Sequence, residues 1–176
     1  MRKFEVAKGW EDKSINLPQR STEFSAGYDF ESAEDVTIPS IWKIWKKSAY
    51  KDGLNSKVTV VHTGIKVYMN DNEVLEVYPR SSNAIKRFLL MPNSIGVIDK
   101  DFVDNPSNDG EIGVPLINFG FTDMHIKKGE RIAQGVFKQY LTVDDDGLKP
   151  KKTRVGGFGS TDTLDVTTAG SINLGG

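Results

Sequence analysis

The chain contains no cysteine, so disulfides, thiolate nucleophiles and thiolate metal ligands are excluded from its chemistry. Histidine is nearly absent as well: His62 and His125 are the only two, which argues against a histidine-rich zinc site. Neither sign of charge prevails. With 23 Lys and Arg against 24 Asp and Glu, the formal net charge is -1. Such a balance offers no broad electrostatic grip on nucleic acid, although a pocket for a small anion needs only a few local cations. No apolar run approaches the length of a membrane span, and Met1-Arg2-Lys3-Phe4-Glu5 opens a mixed segment unlike a signal peptide. A soluble cytoplasmic protein is expected, without membrane contact or stable nucleic-acid binding.

What remains is mostly the pattern of short strands. At 176 residues the chain suits one domain with a sizeable core. Val36-Thr37-Ile38, Val58-Thr59-Val60-Val61, Ile65-Lys66-Val67-Tyr68 and Val74-Leu75-Glu76-Val77-Tyr78 are β-branched or aromatic and bounded by turn residues. Gly96-Val97-Ile98 and the stretches 112–119 and 131–140 extend the series. Lys51-Asp52-Gly53, Met69-Asn70-Asp71-Asn72 and Asn108-Asp109-Gly110 supply turns between them. Many short strands with little helix predict an all-β barrel or jelly roll rather than a parallel α/β fold. Two stretches look like additions. In Ile41-Trp42-Lys43-Ile44-Trp45-Lys46-Lys47, the residues Ile41, Ile44 and Trp45 share one face at helical spacing. A lid on the barrel or a partner-binding patch would both use such a turn. The other is the polar loop Val103-Asp104-Asn105-Pro106-Ser107-Asn108-Asp109.

Five clusters carry chemistry. Ala26-Gly27-Tyr28-Asp29-Phe30 places a carboxylate beside a glycine in a strand-like segment, as either a turn with a satisfied Asp or a metal-linked site. Pro79-Arg80-Ser81-Ser82 ends a strand before a short helix from Asn83 to Arg87. Hydroxyls and N–H groups at such a helix start can hold an anion or simply cap the helix, and Arg80 adds charge. In Asn93-Ser94-Ile95-Gly96-Val97-Ile98-Asp99-Lys100-Asp101-Phe102, Asp99 follows an apolar run and so stands at the mouth of the core. There it can bind a water and accept its proton, with Asp101 as the competing carboxylate. The turn around Gly96 exposes backbone groups able to read a base edge. Lys128-Gly129-Glu130-Arg131-Ile132-Ala133-Gln134 leads a polar Gln into a strand, where it needs a hydrogen-bond partner. Last comes Arg154-Val155-Gly156-Gly157-Phe158-Gly159-Ser160-Thr161, a glycine-rich end with one cation, one ring and two hydroxyls. Its glycines permit close backbone approach, its ring can stack on a base, and Arg154, Ser160 and Thr161 can donate to phosphate oxygens.

In this order and spacing the five clusters resemble the motifs of the trimeric dUTP diphosphatases (dUTPases), from Ala26 to Thr161. The Ser81-Ser82 pair and the long loop after Phe102 are similar to a subgroup found in bacteria and their phages. The resemblance implies a distorted β jelly roll (β-clip barrel) with short helical segments, assembled as a homotrimer that exchanges C-terminal arms. It implies hydrolysis of dUTP to dUMP and pyrophosphate, which limits uracil in DNA and supplies dUMP for thymidylate synthesis. By family pattern Asp99 activates the water that attacks the α-phosphorus, and Asp29 orients water around Mg²⁺ held mainly by the phosphates. Arg80, Ser81, Ser82 and Gln134 match phosphate-side positions. Asn93 with Gly96, Val97, Ile98 and Asp99 matches the uracil-reading hairpin. Phe102 stands where an aromatic ring, usually Tyr, packs on deoxyribose and leaves no room for a 2′-hydroxyl. Arg154, Phe158, Gly159, Ser160 and Thr161 match the closing arm, with Phe158 over the base. The implied organisation is a core over 1–150, interrupted by an insertion at about 41–56, and an arm over 151–176.

The chain departs from the family pattern at three places. Ser82 replaces the commoner Gly, one residue fewer separates Arg154 from Gly156, and 41–56 has no counterpart in the minimal enzyme. The related dCTP deaminases share the fold and an Arg-Ser-Ser motif, but place a Glu three residues before an Asn. Here Asn118 is preceded at that distance by Pro115, which transfers no proton. A pure binding protein is the other rival, since phage-type relatives include members that contact regulatory proteins. The 41–56 insertion is the place for such a contact. Retention of Asp29, Asp99, Gln134 and the arm argues that catalysis is kept.

Overall fold

Strands form where apolar residues alternate with polar ones and break at the turn signals. The computed structural model describes residues 1–45, 58–148 and 156. In chain order the strands are β1 (Lys3–Val6), β2 (Gln19–Arg20), β3 (Tyr28–Glu31) and β4 (Val36–Ile38). Next come β5 (Thr59–His62), β6 (Ile65–Tyr68), β7 (Glu73–Pro79) and the helix α1 (Ser81–Arg87). β8 (Leu89–Leu90), β9 (Gly96–Ile98), β10 (Gly113–Asn118), β11 (Met124–Ile126) and β12 (Arg131–Gln139) complete the set. The architecture is mostly β with one short helix, and every strand expected above is present. The helix begins two residues earlier than the sequence suggested, at Ser81 rather than Asn83. Ile41–Trp45 forms a 3₁₀ turn, in which Trp42 is exposed and stacks on Phe121 at 6.1 Å. The remainder of the insertion and, apart from Gly156, the arm, with Arg154, Phe158, Gly159, Ser160 and Thr161, lie outside the described residues.

The largest sheet has the order β2-β3-β12-β7-β9, and all its pairings are antiparallel. A second sheet is ordered β5-β10-β8, while β1 pairs with β6 and β11 with β4. Burial follows the period of two. On β7, Leu75 and Val77 point inward and Val74, Glu76 and Tyr78 are half-exposed. Phe30, Leu75, Ile98, Ile132 and Ala133 pack between the sheets with Ile65, Val67, Leu89, Val114, Leu116 and Ile126. Gly135 permits a close approach in the core: a methyl there would stand 2.7 Å from Phe30 Cε2 and 3.0 Å from Leu75 Cδ1.

Two buried carboxylates fasten the strands at their ends. Glu111 accepts the N–H groups of Thr63 and Gly64 at 2.9 and 3.0 Å, which fixes the turn between β5 and β6. Glu73, 2% exposed, takes hydrogen bonds from Arg2 and Asn70. The Arg2 hydrogen bonds foremost hold its pKa down at about 2 against the effect of burial. Among the described residues no helix is long and apolar enough to cross a membrane.

Candidate active site

Three strands of the main sheet gather the polar residues of two clusters. β12 pairs with β3 so that Gln134 faces Asp29, and with β7 so that Gln134 faces Tyr78. A register shift between Arg131 and Ala133 turns Arg131 toward the same side. Arg80, just after β7 and ahead of α1, reaches back: its Nε lies 2.9 Å from Asp29 Oδ1. Arg131 Nη1 lies 3.0 Å from Asp29 Oδ2, and Ser21 Oγ donates to the same oxygen at 2.5 Å. Ser21 also accepts from Arg131 at 3.0 Å. Burial pushes the Asp29 pKa up, but Ser21, Arg131 and Arg80 together outweigh it and the carboxyl is held below its ordinary value. It is therefore an anion clamped between two guanidiniums. Beside it an open cleft of about 590 Å³ is lined by Asn16, Gln19, Arg20, Ser21, Glu31 and Arg131.

Gln134 is half-buried and its Nε2 donates to the Pro79 carbonyl at 3.4 Å. Its side chain lies over Gly27, where a methyl would meet Oε1 at 2.7 Å. That contact is a physical reason for the glycine in the first cluster. Ser81 is exposed and Ser82 half-exposed at the first turn of α1, which Asn83 ties to β12 by donating to the Ile132 carbonyl at 2.7 Å.

The third cluster is placed elsewhere. Asn93 and Ser94 turn the chain from β8 into β9, with Ser94 N–H bonded to the Met91 carbonyl and Ser94 at φ 60. The Asn93 amide nitrogen lies against Gly96, 3.7 Å from where a Cβ would be. Val97 is exposed and Ile98 buried, and Asp99 emerges exposed at the end of the strand. A groove of about 330 Å³ runs past Asp99, Asp101, Lys100, Asp71 and Tyr140, and Lys100 is ion-paired with Asp71. Phe102 points into the core with 6% of its surface exposed.

The structure thus brings Asp29, Arg80, Arg131 and Gln134 together and sets the Asp99 hairpin apart from them. β9 is three strands away from β3, and Asp99 extends about four residues beyond the row of Asp29, Gln134 and Tyr78. At ordinary strand spacings that amounts to about 20 Å. Sequence reasoning missed Arg131 and Ser21. A cation three residues before Gln134 was a visible signal for Arg131. For Ser21 there was none, because only the pairing of β2 with β3 carries it to Asp29.

The profile of the dUTPase family matches residues 13–162. The chain belongs to the dUTPase family. A deoxyuridine 5′-triphosphate nucleotidohydrolase of Lactococcus lactis is 43% identical over 161 residues, covering 92% of this chain and 97% of the relative. The crystal structure of the dUTPase from Streptococcus mutans covers 80% of this chain and 98% of its own, at 36% identity and a TM-score of 0.69. The dUTPase of S. aureus phage phi11, in a structure that reveals coordination of a structural Mg(II) ion, is 18% identical with a TM-score of 0.60. It covers 82% of this chain and 94% of its own, and this last likeness speaks for the dUTPase fold alone.

Proposed function

We propose that this chain hydrolyses dUTP to dUMP and pyrophosphate, by attack of water on the α-phosphorus. The reading rests on the 43% identity to the Lactococcus enzyme across nearly the whole of both chains. Asp99 takes the proton of the attacking water, and pyrophosphate departs with the electrons of the bond that breaks. An exposed carboxylate at the rim of a groove suits that task. Arg80 and Gln134, with Ser81 and Ser82 at the start of α1, meet the phosphates. Asn93 and the backbone of Gly96, Val97 and Ile98 read uracil, and Phe102 guards the 2′ position of the sugar.

Mg²⁺ fits as a companion of the triphosphate rather than a resident of the barrel. Among the described residues no group of three His, Asp or Glu side chains is placed to hold a metal. Asp29 already has both oxygens engaged by Arg80, Arg131 and Ser21, which suits contact with the ion through water. When bound, the ion would neutralise charge on the phosphates as the α-phosphorus is attacked.

The distance between Asp99 and Asp29 supports a homotrimer, in which the hairpin of one subunit faces the phosphate side of its neighbour. The outward residues Val60, Pro115, Ile117 and Leu90, neighbours across β5, β10 and β8, supply an apolar face for that assembly. The arm over 151–176 would close a neighbour's site, with Phe158 on the base and Arg154, Gly159, Ser160 and Thr161 on the phosphates. The core over 1–150 carries the insertion at 41–56, whose Trp42 stacks on Phe121, and a regulatory protein contact would use that insertion. Work in the cytoplasm, of a bacterium or of a phage's host, fits this chemistry. The deciding assay is pyrophosphate release from dUTP against dTTP, dCTP and UTP, with and without Mg²⁺. Release of inorganic phosphate with dUDP would show that a different phosphorus is attacked.

A further inference from the structure

The loop between Phe102 and Glu111 is built more firmly than a connection of its kind requires. Asn105, 5% exposed, uses its whole amide. Its Nδ2 donates to the Phe102 carbonyl at 2.8 Å and to Asn108 Oδ1 at 2.7 Å. Its Oδ1 accepts from Ser107 N–H at 3.0 Å, Ser107 Oγ at 2.7 Å and Asn108 N–H at 3.2 Å. Gly110, at φ +82, presses on the same place from the other side. A methyl there would stand 2.8 Å from the Phe102 carbonyl oxygen and 2.6 Å from Val103 Cα. Lys66 pins the loop to β6 through Asp104 at 2.6 Å and Asp109 at 2.9 Å, while Lys8 N–H reaches Asp109 at 2.8 Å. Phe102 N–H meanwhile donates to the Asp99 carbonyl at 3.1 Å. The backbone of Phe102 is thus gripped from both directions, by Asp99 before it and Asn105 after it.

A buried amide with every position satisfied tolerates little displacement, since any shift strands a polar group away from water. Steric rejection of one hydroxyl is equally sensitive, because a ring that recedes by a fraction of an ångström leaves room for it. We infer that Asn105 is a specificity-determining positioning residue, which holds Phe102 at the depth where its ring excludes a 2′-hydroxyl. The inference rests on the reading of Phe102 as the sugar gate.

The test compares kcat/KM for dUTP and for UTP in the unmodified chain and in Phe102→Ala, Asn105→Ala, Asn105→Asp and Lys66→Met. Asn105→Ala should lower the dUTP-to-UTP ratio by about tenfold, the discrimination that a methylene's worth of space commands. Asn105→Asp keeps the shape and the acceptor side but turns an oxygen toward the Phe102 carbonyl, and should relax the ratio at least as far. Lys66→Met removes the ion pairs from β6 to Asp104 and Asp109, sparing the hydrogen bond that Tyr68 donates to Asp104 at 2.9 Å and the Asn105–Phe102 bond, so it should lower the melting temperature and leave the ratio unchanged. An unchanged ratio in the Asn105 variants, with a relaxed one in Phe102→Ala, overturns the inference and spares the gate. No relaxation even in Phe102→Ala overturns the gate itself. If neither Asn105 variant folds, or if Lys66→Met relaxes the ratio equally, the role of Asn105 is merely structural and the inference fails.

Discussion

Gln134 lies against Gly27 so closely that a methyl on residue 27 would stand 2.7 Å from Gln134 Oε1 and 3.3 Å from Gln134 Cβ. Two clusters more than a hundred residues apart in sequence are thereby fitted to each other, beside a carboxylate clamped by two arginines. The consequence can be isolated, because Gly135, one residue further along β12, contacts the core instead.

Gly27→Ala should displace Gln134 and raise the KM for dUTP, with little change in melting temperature. Gly135→Ala should do the reverse, costing about 1–3 kcal/mol of stability through overpacking against Phe30 and Leu75. Steady-state kinetics and thermal melts of the two variants, taken together, check both halves. A large melting loss with unchanged KM in Gly27→Ala would separate Gln134 from substrate binding.

Asp99→Asn keeps the shape of the side chain and removes the proposed base. Turnover should fall by about 10²-fold or more, while dUTP binding measured by calorimetry persists. If turnover stays near normal, the base lies elsewhere, and Asp101 on the same groove is the first place to look.

Acid should weaken the fold through Glu73. Its folded pKa, about 2, lies below the ordinary glutamate value, chiefly through the Arg2 hydrogen bonds. A depressed carboxyl contributes its full stability above the unfolded pKa of about 4.3. That contribution is lost as pH falls through about 2. The difference in melting temperature between the unmodified chain and Glu73→Gln should be constant at neutral pH and shrink between those two values. A difference independent of pH across that window would mean the pair carries no linkage.

The proposed arm exchange predicts complementation. Chains truncated after Lys152 and chains carrying Asp99→Asn should each be weak alone, and their mixture should recover part of the dUTP turnover. Absence of recovery, with subunit exchange confirmed by mass spectrometry, would show that each chain closes its own site.

Much of this protein was legible from local chemistry. Strand positions followed from the alternation of residues, since burial on one face of a sheet imposes a period of two. Asp99 could be placed at the core's rim because it ends an apolar run, and an exposed carboxylate there is what the fold contains. Gly27 and Gly135 were visible, but not what they touch. What the tertiary structure alone decided is which distant side chains meet. Arg131 and Ser21, 110 positions apart, converge on Asp29 through the pairing of β2, β3 and β12. Phe102 was matched only by resemblance to a ring that packs on deoxyribose; that it is buried in the core wall, with its carbonyl held by Asn105, only the structure shows. The separation of Asp99 from Asp29 likewise depends on strand order. Periodicity along one segment tells inside from outside, whereas neighbours across strands are chosen by the free energy of the whole packed sheet.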